Sequence, residues 1–391
     1  MKNVTFENIT AECSDPEQGY VGVVFGDLQN NGNLTLENVH VKDADLCGVQ
    51  SVGGLVGFVA SGRKVSINNC SVEGGYFHNY PVADESGFVA GLVGRPVGTV
   101  NVKASEVKDT QIRGYYASHR GETSIAAVVG GQETVDGVTL TNVTVKKTLI
   151  DAVASTTEEL IAALAENKEN IVLKAGEYEL GGATFGASKV NIVGDDREKS
   201  VVKVSKSIYA DGKTINLKNL TYSVPAGLTY NEFDFAFIHR AAEFNMEGCV
   251  IADGRLRINV SKSLIKNCQF NVSTSNGFDG YALFYYGNND SEVTVNNCTF
   301  DTAGKAIVVY SEGARVYNLD VNDCVFTSDA STDKAAIQMH TEHGISGTLD
   351  ITNSKATGFA DVHNGLWNEL NNSSKEPTTK FDVTVDGVKV Q

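Results

Sequence analysis

The sequence lacks any long apolar run, and it is poor in proline and in positive charge. No stretch reaches the roughly 18 to 20 apolar residues that a membrane-spanning helix needs. The 391 residues include 5 prolines and carry a formal net charge of −16 at pH 7. Long-range repulsion therefore disfavours nucleic acid, anionic membranes and, unless a cation bridges them, acidic polysaccharides as partners. We expect an ordered chain without a transmembrane segment.

The cysteines lack the spacing of a disulfide framework. There are seven of them, an odd number, and no two form a Cys-x-x-Cys pair. Free thiols are therefore the simpler expectation.

An eight-residue unit, apolar-x-apolar-x-Asn-apolar-x-apolar, recurs along the chain. Such self-similarity is the first thing to look for, because it decides the fold class. The regular copies are VTFENITA (4–11), LTLENVHV (34–41), VSINNCSV (65–72), VTLTNVTV (138–145), INLKNLTY (215–222), VTVNNCTF (293–300), LDVNDCVF (319–326), LDITNSKA (349–356) and VTVDGVKV (383–390). Looser copies are VNVKASEV (100–107), FNMEGCVI (244–251) and SLIKNCQF (263–270).

The fifth position of the unit holds residue types that tolerate a left-handed backbone. Among twelve copies it is asparagine eight times, with Gly248, Gly387, Asp323 and Ala104 in the others. Asn, Asp and Gly adopt positive φ more easily than other residues. In VTVNNCTF, two residues separate the apolar pairs, so a bend at Asn297 is needed to keep all four on one face. The unit is therefore predicted to be a strand, a tight corner and a second strand.

The spacing of the corners predicts an all-β fold, a parallel β-solenoid. Corners follow one another mostly at 26 to 38 residues, with one step of 19 from Gly248 to Asn267 and one longer gap from Asn142 to Asn219. Short strands with one fixed corner per turn are typical of solenoids, whereas sandwiches and barrels do not require such a residue. Because the opening residues already belong to the first copy, we expect a longer precursor whose export signal or anchor lies upstream.

Five cysteines directly follow the corner, where other copies have Ile9, Val39, Val143 or Leu220. Exchange with aliphatic residues predicts a buried thiol that packs as a small hydrophobe. A disulfide between stacked coils is a weaker alternative, because it needs a specific separation and orientation. A metal-binding or catalytic role is weaker still, and we expect neither a metal site nor a cofactor. The five are Cys70, Cys249, Cys268, Cys298 and Cys324.

A glycine-rich phrase recurs in the first 150 residues. Gly-Leu-Val-Gly occurs at 54–57 and 91–94, with looser copies in YVGVVFG (20–26) and IAAVVGG (125–131). The phrase resembles the Gly-Leu-any-Gly (GLUG-like) repeats of bacterial surface and secreted proteins. The resemblance implies a first domain of β-solenoid repeats over residues 1–151.

Residues 155–170 interrupt the repeats with a helical pattern. Leu160, Ile161 and Leu164 share one helix face, and Thr156 with Glu159 fits a capping box. A short amphipathic helix followed by NIVLKAGEYEL resembles the entry to right-handed parallel β-helix proteins of the pectate-lyase-like superfamily. The resemblance implies a second domain over residues 152–391, with a helix near 156–168 capping its first coil. One continuous solenoid with a helical insertion is the alternative.

The catalytic motifs of pectin-hydrolysing members of that superfamily are incomplete. Asp195-Asp196 resembles their paired aspartates, but the chain has no Asn-Thr-Asp, and EHG (342–344) and RIN (257–259) are imperfect and reversed in order. The aspartate pair is therefore better explained as a polar turn. We also find no acidic cluster dense enough for the calcium that lyases of the superfamily use.

The strands upstream of the later corners predict a surface stripe. They align as AFIHR (236–240), RLRIN (255–259), ALFYY (282–286), AIVVY (306–310) and AIQMH (336–340). If the second residue of each faces inward (Phe237, Leu256, Leu283, Ile307, Ile337), the third and fifth face outward. Ile238 and Val308 are third residues of their strands, so they are also expected to face outward. The candidate ligand-binding residues are Arg240, Arg257, Asn259, Phe284, Tyr286, Tyr310, Gln338 and His340.

These patterns leave three functions open. A stripe of rings and polar groups at the coil repeat suits a glycan, although loops that cover the aromatics would produce the same pattern. The favoured hypothesis is a non-catalytic, secreted or cell-surface bacterial protein that acts as an adhesin or binds a polysaccharide or host glycan. The alternatives are a polysaccharide lyase or glycoside hydrolase that uses the stripe, and a structural spacer or phage-fibre segment. Fold alone does not decide between them.

Overall fold

The fold is almost entirely parallel β-structure. The computed structural model describes residues 1–29, 32–79, 87–115, 125–131, 137–224, 237–272, 281–287, 289–331, 334–360 and 362–391. Within these ranges there is one α-helix, Thr157–Ala165, and one short 3-10 helix, His363–Gly365. In the described part of the chain, the strand pairs whose register is defined are parallel except two near the C-terminus, the hairpin of Val388–Lys389 on Phe381–Val385 and the bridge between Leu370 and Pro377. The predicted all-β parallel β-helix is confirmed.

The chain divides into two compact units. Unit 1 comprises Met1–Ala154 and Lys168–Val172, and unit 2 comprises Ser155–Asn167 and Leu173–Gln391. The strand Asn170–Leu173 contains the division.

The coils of unit 1 run through up to five parallel sheets. The sheet before the predicted corner contains Asn33–Lys42, Lys64–Asn68, Thr99–Lys103 and Val138–Thr141. The sheet after it contains Lys2–Glu7, the second half of Asn33–Lys42, Ser71–Glu73, Glu106–Lys108 and Thr144–Lys146. The third sheet contains Thr10–Cys13, Asp45–Gly48, Tyr76–Asn79, Gln111–Tyr115 and Leu149–Ala154. The fourth contains Tyr20–Gly22, Ser51–Gly53, Phe88–Ala90 and Ile125–Ala126. The fifth contains Phe25–Leu28, Val56–Val59 and Val93–Pro96.

Unit 1 has a second left-handed corner in each coil, which the sequence analysis did not predict. Its residues all have positive φ and are Asn8, Asp43, Gly74, Asp109 and Lys147. The alignment of VTFENITA is therefore wrong. Val4 pairs with Val39, which lies after the corner at Asn38. Asn3 takes the predicted corner of the first coil and accepts a 2.8 Å hydrogen bond from Asn38 Nδ2.

The glycine-rich phrase forms a corner that has no room for side chains. Residues 54–55 connect the strands Ser51–Gly53 and Val56–Val59. A Cβ atom on Gly54 would lie 2.2 Å from the carbonyl oxygen of Gly91, and one on Gly91 would lie 2.2 Å from that of Ala127. The glycines are needed because successive coils approach each other closely here.

Ala104 is the one alanine at a predicted corner, and it adopts the left-handed conformation with a φ of 49°. A Cβ in this region costs roughly 1–2 kcal/mol, which asparagine offsets better than alanine. Ala104→Asn is therefore expected to raise the free energy of unfolding of unit 1 by about 1 kcal/mol, measured by chemical denaturation. Ala104→Val should lower it, and two variants of equal stability would contradict the assigned backbone strain.

Unit 2 has three parallel sheets, named A, B and C in the order in which the chain passes through them, with the corner between A and B. Sheet A, before the corner, contains Lys189–Gly194, Thr214–Lys218, the second halves of Phe237–Glu247 and Leu256–Lys266, Ser291–Asn296, Val316–Asn322, Ser346–Thr352 and Phe381–Val385. Sheet B, after it, contains Gly176–Glu179, Ser200–Lys203, Thr221–Ser223, Val250–Ala252, Gln269–Val272, Thr299–Thr302, Val325–Ser331 and Lys355–Phe359. Sheet C contains Ile208–Tyr209, the first halves of the two long strands, Leu283–Tyr286, Ile307–Tyr310, Ile337–His340 and Trp367–Leu370.

All seven predicted corner positions of unit 2 have positive φ, and six of them are corners of the solenoid. The six are Asn219, Gly248, Asn267, Asn297, Asp323 and Asn353. Side-chain amides connect neighbouring coils, as Asn297 Nδ2 donates to Asn267 Oδ1 at 2.8 Å. The exception is VTVDGVKV. Asp386-Gly387 is the two-residue turn of an antiparallel hairpin, because an Asp-Gly pair with two positive φ values suits a type I′ turn.

The predicted helix and its cap are confirmed. The Thr156 side chain accepts a hydrogen bond from the Glu159 amide at 3.2 Å, and Glu159 in turn accepts one from the Ser155 amide at 2.5 Å. Leu160 and Leu164 are buried, whereas Ile161 is partly exposed. The helix belongs to unit 2.

The five cysteines that follow the corners are buried, as predicted, and all seven cysteines are free. Four of the five, Cys249, Cys268, Cys298 and Cys324, stack on consecutive coils of unit 2. Hydrogen bonding between these thiols shifts their pKa values in opposite directions, raising that of Cys298 and lowering that of Cys268. All four are at most 3% exposed, and a buried free cysteine packs as a small hydrophobe, so this stack is best described as core packing.

Candidate functional site

The predicted stripe lies on sheet C of unit 2. Its inward column is in register and fully buried, with Leu256, Leu283, Ile307 and Ile337 paired in succession. The side chain of Phe237 lies outside the described part of the chain.

The first strand of the stripe is out of the predicted register by one residue. Ile238 pairs with Ile258 and is buried, so its predicted outward position is wrong. A bulge at Arg240, which has a φ of 57°, then restores the register. A single inserted residue moves side chains to the opposite face of a strand. Arg240 consequently leaves the stripe and forms an ion pair with Asp211, at 2.6 Å.

Four of the eight candidate ligand-binding residues are buried rather than exposed. The exposed fractions of Arg257, Phe284, Gln338 and His340 lie between 3% and 6%. Asn259, Tyr286 and Tyr310 are half-buried, and Arg240 is exposed. Strand alternation specifies the face of the sheet to which a side chain points, but it does not specify whether other chain segments cover that face.

Tyr286 and Tyr310 form the accessible centre of this face. Their rings stack at 5.4 Å with an interplanar angle of 3°. The Tyr286 hydroxyl donates to Glu312 Oε1 at 2.6 Å, and the Tyr310 hydroxyl lies 3.4 Å from His343 Nε2. Burial and the bond to Glu312 raise the pKa of Tyr286, so its hydroxyl stays protonated near neutral pH. The predicted aromatic stripe is thus reduced to a ring pair with polar edges.

Cationic side chains contact the aromatic rings of the same face. The Arg257 guanidinium lies 5.7 Å from the centre of the Phe284 ring and 5.5 Å from that of Tyr286. Sequence analysis missed Lys305, which is buried and whose Nζ lies 4.9 Å from the centre of the Tyr281 ring. Lys305 comes just before the strand Ile307–Tyr310, so extending the alignment upstream by one residue would have found it.

Gln338 and His340 are buried polar residues beside the tyrosine pair. The ring of His340 lies 6.1 Å from that of Tyr310. Gln338 Oε1 and His340 Nδ1 have no hydrogen-bond partner among the described residues. Burial, reinforced by Lys305 and Lys375, lowers the pKa of His340 to about 3. The imidazole is therefore neutral near pH 7, and its two nitrogens offer one donor and one acceptor.

The paired aspartates Asp195 and Asp196 bond to neighbouring residues of the chain. Asp196 accepts hydrogen bonds from the amides of Glu198 and Lys199, the predicted polar turn, and Asp195 pairs with Lys174 at 2.6 Å. Within the described ranges, no group of three or more His, Cys, Asp or Glu side chains could hold a metal ion.

Unit 1 contains one further thiol contact that the sequence did not indicate. Cys47 Sγ lies 3.4 Å from His78 Nδ1, and His78 Nε2 lies 3.9 Å from Asp45 Oδ1. Burial, Glu12 and Asp45 raise the pKa of Cys47 to about 11. Because the surrounding carboxylates disfavour the thiolate, the contact does not activate a nucleophile.

Comparison with known proteins found no matching protein family, curated protein or solved structure. None of the helices in the described ranges has the length and apolar character needed to cross a membrane.

Proposed function

We propose that the chain is a non-catalytic β-helix protein that binds a glycan through the face around Tyr286 and Tyr310. A location at the bacterial cell surface or outside the cell is part of this proposal. So are the resemblances to GLUG-like repeats over residues 1–151 and to the pectate-lyase-like superfamily over residues 152–391.

The observation that carries the proposal is the pair of buried polar atoms beside the tyrosines. A buried polar atom without a hydrogen-bond partner lowers stability by roughly 1–3 kcal/mol. Such an atom is therefore retained where a ligand or a water molecule supplies the hydrogen bond. Gln338 Oε1 and His340 Nδ1 lie on one strand, on the face that carries the half-buried Tyr310. A sugar suits this face, because its hydroxyl groups donate and accept hydrogen bonds while its C–H groups pack against aromatic rings.

The ionisable groups favour binding over catalysis. A general acid or base works best with a pKa near the operating pH. His340, with a pKa of about 3, and Tyr286, with a raised pKa, are both far from neutrality. Glu312 is engaged by the Tyr286 hydroxyl. A lyase or hydrolase remains the alternative, and a spacer or fibre segment is the second alternative.

A glycan array combined with a reducing-end assay tests the proposal. We expect at least one glycan to bind without product formation. Gln338→Leu and Tyr310→Ala should each weaken that binding at least tenfold, because they remove the acceptor and the ring. Tyr209→Ala is the matched control, since Tyr209 is an exposed tyrosine on the same sheet that contacts Arg240.

The other outcomes select the alternatives. Release of reducing ends that the Tyr310→Ala variant abolishes would establish an enzyme. Silence in both assays would favour the spacer, and equal losses in the Tyr209 control would show that the affinity does not come from this face.

A further inference from the structure

The outward surface of sheet A carries a ladder of asparagine side chains. Asn191, Asn216 and Asn245 are paired in register on three consecutive coils, and Leu264 occupies the same column on the fourth. Asn216 Nδ2 donates to Asn191 Oδ1 at 2.7 Å, and Asn245 Nδ2 donates to Asn216 Oδ1 at 2.8 Å. Asn245 Oδ1 in turn accepts from the Leu264 amide at 3.0 Å. The ladder fixes the orientation of each carboxamide.

An open groove of about 500 Å³ follows the ladder. Lysines lie along it at 189, 218 and 266, together with Glu247. Lys218 Nζ forms an ion pair with Glu247 at 3.1 Å, which neutralises one of the three lysines. Leu264 closes the column with a side chain that is 40% exposed.

We propose that this groove is a second binding site, for a neutral glycan chain that lies along the solenoid axis. A carboxamide has two N–H donors and two acceptor lone pairs, and a ladder bond at each end uses only part of them. The central rung, Asn216, can therefore still offer a donor and an acceptor to a ligand, which fits a pair of hydroxyl groups. Asn245 repeats this pattern one strand spacing of about 4.8 Å away, and Leu264 provides an apolar contact for the C–H face of a sugar.

The pattern suits a hydroxyl-bearing chain better than an anion or a peptide. Carboxylate and phosphate oxygens only accept, so they would leave the acceptor oxygens of the ladder unmatched. An extended peptide would pair with an exposed strand edge rather than with the middle of a sheet whose backbone is already hydrogen-bonded.

Calorimetric titration with neutral linear hexasaccharides (cellohexaose, xylohexaose and mannohexaose) tests the site. The chain used carries Tyr310→Ala, so that the outcome does not depend on the face proposed above. We expect at least one of the three to bind, and Asn216→Ala or Leu264→Ser to weaken it at least tenfold. Asn318→Ala is the control, because Asn318 is an exposed asparagine on the same sheet, outside this groove.

Three results would overturn the inference. These are no binding of any of the three sugars, tighter binding of hexagalacturonate than of all of them, and equal effects of Asn216→Ala and Asn318→Ala. Thermal melting of each variant verifies its fold, and Leu264→Ser provides a second test if Asn216→Ala unfolds. If a glycan binds in the groove but none binds at the Tyr310 face, only the function proposed above is refuted. If a glycan binds at the Tyr310 face but none binds in the groove, only this inference is refuted.

Discussion

Replacing Glu369 with alanine is expected to lower the free energy of unfolding of unit 2 by about 3 kcal/mol or more. Glu369 is a buried carboxylate that is 2% exposed. Its oxygens accept hydrogen bonds from Thr378 Oγ1 at 2.6 Å, the Phe381 amide at 3.0 Å and Gln391 Nε2 at 2.6 Å, and also from the Lys380 amide. Truncation removes the acceptor of four donors, two of which are backbone amides that cannot move away.

Chemical denaturation of the unchanged protein and of the Glu369→Ala variant measures this effect. Glu177→Ala is the matched control, because Glu177 is an exposed strand residue whose ion pair with Lys203 is at the surface. Such pairs contribute roughly 0–1 kcal/mol. If Glu369→Ala cost no more than Glu177→Ala, Glu369 would not hold the C-terminal segment on the last coils.

Phe300→Ala is expected to destabilise unit 2 by roughly 3–5 kcal/mol. Phe300 is fully buried between two rings on sheet B, with centroid distances of 4.3 Å to Phe270 and 4.9 Å to Phe326. Truncation leaves a cavity and removes two stacking contacts, each worth about 0.5–1.5 kcal/mol beyond burial. The neighbouring rings are fixed by their strands, so they can close the cavity only partly.

Thr299→Ala supplies the comparison for Phe300. Thr299 is the preceding residue on the same strand and points to solvent, so its loss should change stability by less than about 0.5 kcal/mol. Denaturant midpoints measure both variants. Equal shifts would contradict the assignment of Phe300 to the continuous interior stack.

The sequence was sufficient to predict the corner because the corner is a local feature. Positive φ restricts residue choice at a single position, and the apolar register on either side, as around Asn297, repeats the same information. The alignment is wrong at two copies because strand pairing, unlike the corner, is not a local feature. VTFENITA and VTVDGVKV fit the pattern locally, but the pairing of Val4 with Val39 and the hairpin at Asp386 depend on which strand lies alongside.

The candidate site was predicted less completely because its properties are not local. Alternation placed Arg257, Tyr286 and His340 on one face, yet burial of that face depends on how other segments pass over it. The bulge at Arg240 has no signal in the apolar pattern, because Ile238 and Phe237 are both apolar. Contacts such as Tyr286 with Glu312 join residues 26 positions apart in the sequence. The pKa of His340 likewise depends on Lys305 and Lys375.

Hydrogen–deuterium exchange with a glycan identified on the array is the most direct test of the proposed binding face. The bound sugar should slow amide exchange in Leu283–Tyr286, Ile307–Tyr310 and Ile337–His340, the strands that carry the tyrosine pair, Gln338 and His340. The same sugar added to Gln338→Leu should produce a much smaller effect. Protection confined to unit 1 or to sheet B of unit 2, with sheet C unchanged, would contradict the account.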